Sequence, residues 1–391
     1  MAGIAAWLPL LGMPGRGWLD FAAFYAAGAM VFGPELMDLA AIATYQADRG
    51  LPNTPFLYPP GLAIVYAPLT GLTYDLAAAL HVGVQASALL AAAALASRVY
   101  GIPRHWAVLG AFAWAPAAAG VVSGQNSAVL LLLIVGATLA VGRSPAGWTA
   151  VRTRWLGVLA GFVAGLAVYR PHMGLPVLGL MVWRRAWTVA GVAVGVTAIH
   201  YGLGLAATGG VLDWPTRWLS NITAATANDF ESVGWQVIGL PGMLGRISVG
   251  GSAPGAVVGP ALIGYAIGLV VILSALGPLR RWEASRAIAL TCALALFAGP
   301  RGFAYDGTML LPAIAVLVRD GLDRGWPWTH RWMLAAAYGI ALSWPLGGLL
   351  GVNPLAIVVL ATPFVLLGRA PFRAFRPPDD AARTVGILGR P

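Results

Sequence analysis

The sequence predicts an all-α, polytopic membrane protein of about twelve transmembrane helices, with a helical outer loop after the first span. Three observations carry that expectation. First, 59% of the 391 residues are hydrophobic and only 10% are charged, whereas a soluble domain is roughly 45–50% apolar and about 25% charged. So few charges do not cover a water-facing surface. Second, the apolar residues fall into runs separated by short polar stretches. Third, the 24 basic residues, every one an arginine, are concentrated in alternate loops rather than in one patch. The net charge of +10 therefore reads as membrane sidedness and not as a nucleic-acid surface.

The expected spans, in order, are Met1–Met13, Leu76–Ser97, Trp106–Val122, Ser127–Val141, Trp155–Tyr169, Met173–Trp183, Trp187–Ala207, Gly255–Gly277, Ala287–Gly299, Thr308–Val318, Trp332–Leu346 and Pro354–Leu367. The first is short for a span, which needs about 20 residues. It lacks the basic leader of a cleaved signal peptide, and Pro14 to Trp18 would extend it. Several others are also short, and 51 Gly and 28 Pro predict kinked or partial helices, tolerated where they pack on protein or line a wet cavity. No repeat of 20–50 residues is visible. The lone Cys292 excludes a disulfide framework.

The loops orient these spans. Arg98, Arg104, Arg143, Arg152, Arg154, Arg184, Arg185, Arg280, Arg281, Arg286, Arg319, Arg324 and Arg331 share one side with the tail, which carries Arg369, Arg373, Arg376, Arg383 and Arg390. The positive-inside rule makes that side cytoplasmic. Most acids, Asp20 and Glu35 through Asp306, fall opposite. Residues 1–368 then form one membrane-embedded domain, with 14–58 as the first outer loop and 369–391 as a basic cytoplasmic tail. Residues 59–71 are apolar but short and broken by Pro68. Counting them as a span would invert every later loop, so they are expected to be re-entrant or interfacial, as is Gly234–Arg246.

The outer face then holds a small set of polar groups at helix ends. Asp20 stands at the lip of an apolar region, where a carboxylate acts as general base on a hydroxyl or simply caps Phe21–Val31. Arg170 runs against the charge bias: its guanidinium suits bidentate phosphate contact, or it snorkels at a span end. His172 adds a donor beside it. Gln125 and Asn126 suit sugar hydroxyls or cap the helix that follows them. Arg301 and the Tyr305-Asp306 pair either join the site or pair with each other. Asp229-Phe230-Glu231 has a spacing that holds a divalent cation, but no third ligand accompanies it, and no metal or cofactor is expected. His81 and His200 lie inside apolar runs without a nearby acid. P-loop, dinucleotide and zinc-protease motifs are absent.

Two blocks bring a family into view. Asp20-Phe21, with Tyr25-Ala26-Ala27-Gly28, and then Phe56-Leu57-Tyr58-Pro59-Pro60-Gly61, resemble the opening signature of glycosyltransferase family 87. These are polytopic C-superfamily enzymes that include bacterial polyprenyl-phosphate-mannose-dependent α-1,2-mannosyltransferases. Gly124-Gln125-Asn126, Arg170-Pro171, and Pro300 with Tyr305-Asp306 follow in the family's order. The resemblance implies Asp20 as catalytic base. It implies a polyprenyl-phosphate sugar donor, of which mannose is the expected sugar, and a lipid or glycan acceptor. It further implies an inverting transfer on the extracytoplasmic face of the bacterial inner membrane, serving the cell envelope. On that basis Arg170, His172 and Arg301 are expected to hold the donor phosphate, and Tyr25, Tyr58, Gln125, Asn126, Tyr305 and Asp306 the substrates. The rival class is a transporter or flippase of lipid-linked sugars. That class calls for functional charges near the midplane and an internal repeat, and this sequence has its polar groups at one face.

Overall fold

The computed structural model describes residues 19–142, 154–232, 234–249, 258–299 and 301–368. Among them the chain is all-helical, and its only β contact is an isolated bridge between Val237 and Phe303. The expected span Met1–Met13, the tail 369–391 and the first residues of Gly255–Gly277 lie outside the described residues, as do the side chains of Asp229 and Glu231.

The segment between Asp20 and Pro60 contains helices α1 (Phe21–Ala29) and α2 (Leu39–Asp48). Asp38 caps α2, its carboxylate accepting from the N–H groups of Ala40 and Ala41 at 2.8 and 3.3 Å. The Gln46 side chain then grips Thr54 at both N–H and C=O, and the Thr54 hydroxyl donates to the Leu19 carbonyl at 2.8 Å. A polar loop is thereby fastened next to Asp20. Residues 60–71 follow as three short helical turns, Pro60–Leu62, Ala63–Tyr66 and Ala67–Gly71.

The apolar runs become α3 (Tyr74–Tyr100), α4 (Arg104–Ala113), α5 (Ala115–Ser123), α6 (Ser127–Gly142), α7 (Arg154–Leu166), α8 (Pro171–Trp183) and α9 (Trp187–Ala207). After these come α10 (Trp214–Ser232), α11 (Leu240–Val249), α12 (Val258–Arg281), α13 (Ala284–Ala298), α14 (Leu311–Asp323), α15 (Trp328–Leu342) and α16 (Leu355–Leu367). Three of the described helices are long and apolar enough to cross a membrane by themselves, namely α3, α9 and α12. The number rises to five if each of two bent pairs makes one span.

One of those bends corrects the expectation of a single helix over Trp106–Val122. The axis turns by 62° between α4 and α5. Pro116 has no N–H to give to the turn before it, and Trp114 is extended there. The Trp114 indole is fully buried and donates to the carbonyl of Gly307 at 2.8 Å. The end of α15 bends similarly, by 49°. Elsewhere small residues bring helices together. A Cβ on Gly161 or Gly165 of α7 would stand 2.6 or 2.7 Å from carbonyl oxygens of α9, at Val189 and Ala193, the close approach that small residues four apart permit in membranes. The core is deepest around α13, buried without a break from Arg286 to Leu294.

Candidate active site

The site is built on the turn between α5 and α6. Gly124 lies at φ +79°, a conformation glycine adopts without cost. A side chain there would also strike Phe21, whose Cβ would stand 2.7 Å away. That contact sets the start of α1 on the turn, and the Asp20 N–H donates to the Ser123 carbonyl at 2.9 Å. The alternative of Asp20 as a helix cap fails, because its carboxylate makes no cap hydrogen bond to α1. It lies instead within hydrogen-bonding reach of the Gln125 and Ser123 side chains, in the electrostatic field of Arg170 and Asp306.

Gln125 links Asp20 to a buried cation. Its Oε1 accepts from Arg170 Nη2 at 2.6 Å and from the Tyr58 hydroxyl at 2.7 Å. With its oxygen so occupied, the amide nitrogen is the atom left to donate toward Asp20. Arg170, only 2% exposed, is set between α7 and α8 by Pro171, which opens α8. Its Nη2 also donates to the Tyr58 hydroxyl at 2.7 Å, and its Nη1 to Ser127 Oγ at 3.0 Å and to Asp306 Oδ1. Asp306 Oδ2 accepts from the Phe303 N–H at 3.0 Å. The Tyr58 and Tyr305 rings flank the guanidinium, with centroids 5.5 and 5.6 Å from it.

The structure thus brings Asp20, Tyr58, Gln125, Arg170, Tyr305 and Asp306 into one cluster, with Asn126 on the same turn. The local partnership of Arg301 with Asp306 gives way to a long-range one. Asp306 uses one oxygen on Arg170 and the other on backbone, while the Arg301 guanidinium lies 5.3 Å over the Phe303 ring. His172, in the first turn of α8, is exposed and feels Asp306, Arg170 and Arg301. Asn126 is buried, and neither polar atom of its side chain has a hydrogen-bond partner among the described residues, so it does not cap α6. Tyr25 stands apart. Its hydroxyl donates to the Leu72 carbonyl at 2.8 Å, and its ring packs on Phe21 and Tyr74.

Sequence reasoning missed one member and gave another no role. Ser127 supplies an acceptor to Arg170, and its place in the same turn as Gln125 is the signal that could have found it. His81, buried on α3, packs its ring 5.0 Å from Phe21 and 5.7 Å from Tyr66. Its place inside an apolar run gave no sign of these aromatic contacts. Among the described residues no cluster of His, Cys, Asp and Glu has the form of a metal site.

The electrostatics at Asp20 follow from these contacts. Burial pushes its carboxyl above the ordinary carboxylate value. Gln125, Ser123 and Arg170 pull it back, and Asp306 adds to the rise. A carboxylate held in that state is a stronger base than one in water.

The profile of glycosyltransferase family 87 matches residues 56–300, well over half of the chain. The chain belongs to glycosyltransferase family 87. The match takes in Tyr58, Gln125, Asn126, Arg170 and His172 and leaves Asp20, Arg301, Tyr305 and Asp306 outside its bounds. Comparison with curated proteins and with solved structures gave no significant match. With its apolar helices, the family makes this a membrane glycosyltransferase, which takes a sugar donor and an acceptor.

Proposed function

We propose that the protein transfers a sugar, mannose in the first instance, from a polyprenyl-phosphate donor to a hydroxyl of a lipid or glycan acceptor. Asp20 takes the proton from that hydroxyl. The freed oxygen attacks the anomeric carbon, the bond from that carbon to the phosphate oxygen breaks, and its electron pair leaves with the lipid phosphate. One displacement inverts the anomeric centre, so a β-linked donor yields an α-linked product. The observation that carries this reading is Asp20 itself, a desolvated carboxylate that caps no helix and is coupled through Gln125 to a buried arginine.

The leaving phosphate gains charge, and preorganised cations stabilise it. The exposed His172 and the half-buried Arg301 are the groups that reach it from the rim. Arg170, with both terminal nitrogens in use, contributes its field and holds Tyr58, Gln125 and Asp306 in register. The open amide of Asn126 and the ring of Tyr305 suit sugar hydroxyls and a sugar face. The apolar helices too short to cross singly complete about twelve spans in kinked or paired form. The site then faces the extracytoplasmic side of a bacterial inner membrane.

The test supplies purified protein with radiolabelled polyprenyl-phosphate mannose and a membrane-lipid extract, beside the same lipid carrying glucose or arabinose. Label should move from the mannosyl lipid to product, and Asp20→Asn should stop it. Transfer at the wild-type rate by that variant would remove Asp20 as the base.

A further inference from the structure

At the arginine-rich end of the fold, away from Asp20, α8 and α12 are tied together where both finish. The buried Arg184 side chain donates to the carbonyls of Leu279 and Trp282, and the Trp183 indole N–H donates to Leu276 O at 3.1 Å. Beside these ties is an open notch of about 470 Å³ lined by Trp183, Leu276, Gly277, Arg280 and Arg281. Its wall recedes at Gly277, and α8 is also open at Gly179, one turn before Trp183. A Cβ on Gly277 of α12 or Gly179 of α8 would meet nothing within 4 Å.

The notch has two chemistries in a fixed order. Arg280 and Arg281 are exposed at its rim, no carboxylate lines it, and the indole is held in place by its own hydrogen bond. Below the rim, Leu269, Leu273, Leu276 and Arg280 recur three or four residues apart and so share a helix face, with Leu269 and Leu273 more than half exposed. On α8, Leu175 and Gly179 share the face of Trp183 by the same spacing, and Leu175 is exposed. Paired guanidinia above an apolar stripe match a molecule with a phosphate at one end and a hydrocarbon chain at the other. A free anion would leave the stripe unused. We propose that this notch binds an anionic phospholipid of the surrounding bilayer, with its phosphate between Arg280 and Arg281 and an acyl chain along Leu276, Leu273 and Leu269. The proposal stands apart from the transfer reaction and involves none of its residues.

Native mass spectrometry of the full-length protein in detergent tests it, by titration with phosphatidylglycerol or with phosphatidylcholine of the same chains. Wild type should retain phosphatidylglycerol preferentially. An arginine beside an anionic headgroup contributes roughly fivefold, so the double variant Arg280→Gln/Arg281→Gln should lose about 25-fold. Arg98→Gln/Arg104→Gln, which removes two exposed arginines of other loops, should retain the lipid as wild type does. Gly179→Leu keeps every charge but puts a bulky side chain one turn before Trp183 on the face the acyl chain would follow, and should also weaken retention. Three results would each overturn the proposal: equal retention of the two lipids, equal losses from the two arginine pairs, or displacement of the lipid by millimolar inorganic phosphate. If the Arg280/Arg281 variant does not fold, unchanged retention by Gly179→Leu overturns it as well.

Discussion

If Asp20 is the base, as proposed, its environment predicts a pH signature. Burial holds its proton more tightly in the folded chain than in the unfolded one. As a base it works only when ionised, so kcat/KM should rise with pH through a single acid limb lying above the ordinary carboxylate value. The sign for stability is opposite. Above the unfolded value the ionised, desolvated group costs folding free energy, and this cost grows as pH rises through the folded value. Asp20→Asn should therefore lower transfer by roughly 10²–10⁴ while leaving Tm at neutral pH unchanged or raised. A Tm that falls would instead give Asp20 a structural role. Arg170 makes the contrasting case. Removing one member of a buried ion pair costs about 3–5 kcal/mol, because the other is left charged and alone. Arg170→Ala should lose that much in a denaturant titration, along with activity, and Asp306→Ala should add little further loss on top of it. Additive losses in the double-mutant cycle would mean that the pair is not coupled.

At the scale of elements, the sequence was informative where the physics is local. Apolar runs marked most helices to within a few residues, and Trp187–Ala207 to the residue, because hydrophobic length is written directly in composition. The break at Trp114 was not legible in that way. Pro116 announces a possible kink, but the 62° turn also depends on an indole finding the carbonyl of Gly307, 193 residues away. The site divides likewise. Gln125, Arg170 and Asp306 stood out as polar groups at helix ends. Their joining through Arg170 spans 136 residues to Asp306, and no local spacing encodes it. The α7–α9 contact gives a test at this scale. Gly165→Leu forces a side chain into the backbone of α9 and should destabilise by at least the ~1–3 kcal/mol of an overpacked core. Gly191→Leu on α9, where a Cβ meets nothing within 4 Å, should be tolerated. Matching thermal shifts for the two variants would contradict the close approach.

For the whole molecule the decisive quantity is sidedness, since it fixes which substrates reach Asp20. Eighteen of the arginines fall on one set of loops and six on the other, and a bias of that size near span ends sets orientation. On the proposed reading, a site on the arginine-poor side would meet few nucleotides, and a sugar borne on a lipid phosphate would be the donor suited to it. The native Cys292 is buried, which leaves a quiet background for added thiols. Ala47→Cys and Thr216→Cys occupy exposed positions on the arginine-poor loops, and Arg98→Cys and Arg324→Cys exposed positions on the arginine-rich ones. In intact cells an impermeant maleimide should label the first two and should reach the second two only after the membrane is opened. Because Asp20 shares its loop with Ala47, the same labelling assigns the face on which transfer occurs. The reverse pattern would turn Asp20 toward the cytoplasm, where nucleotide sugars are abundant, and would remove the physical reason for a lipid-borne donor.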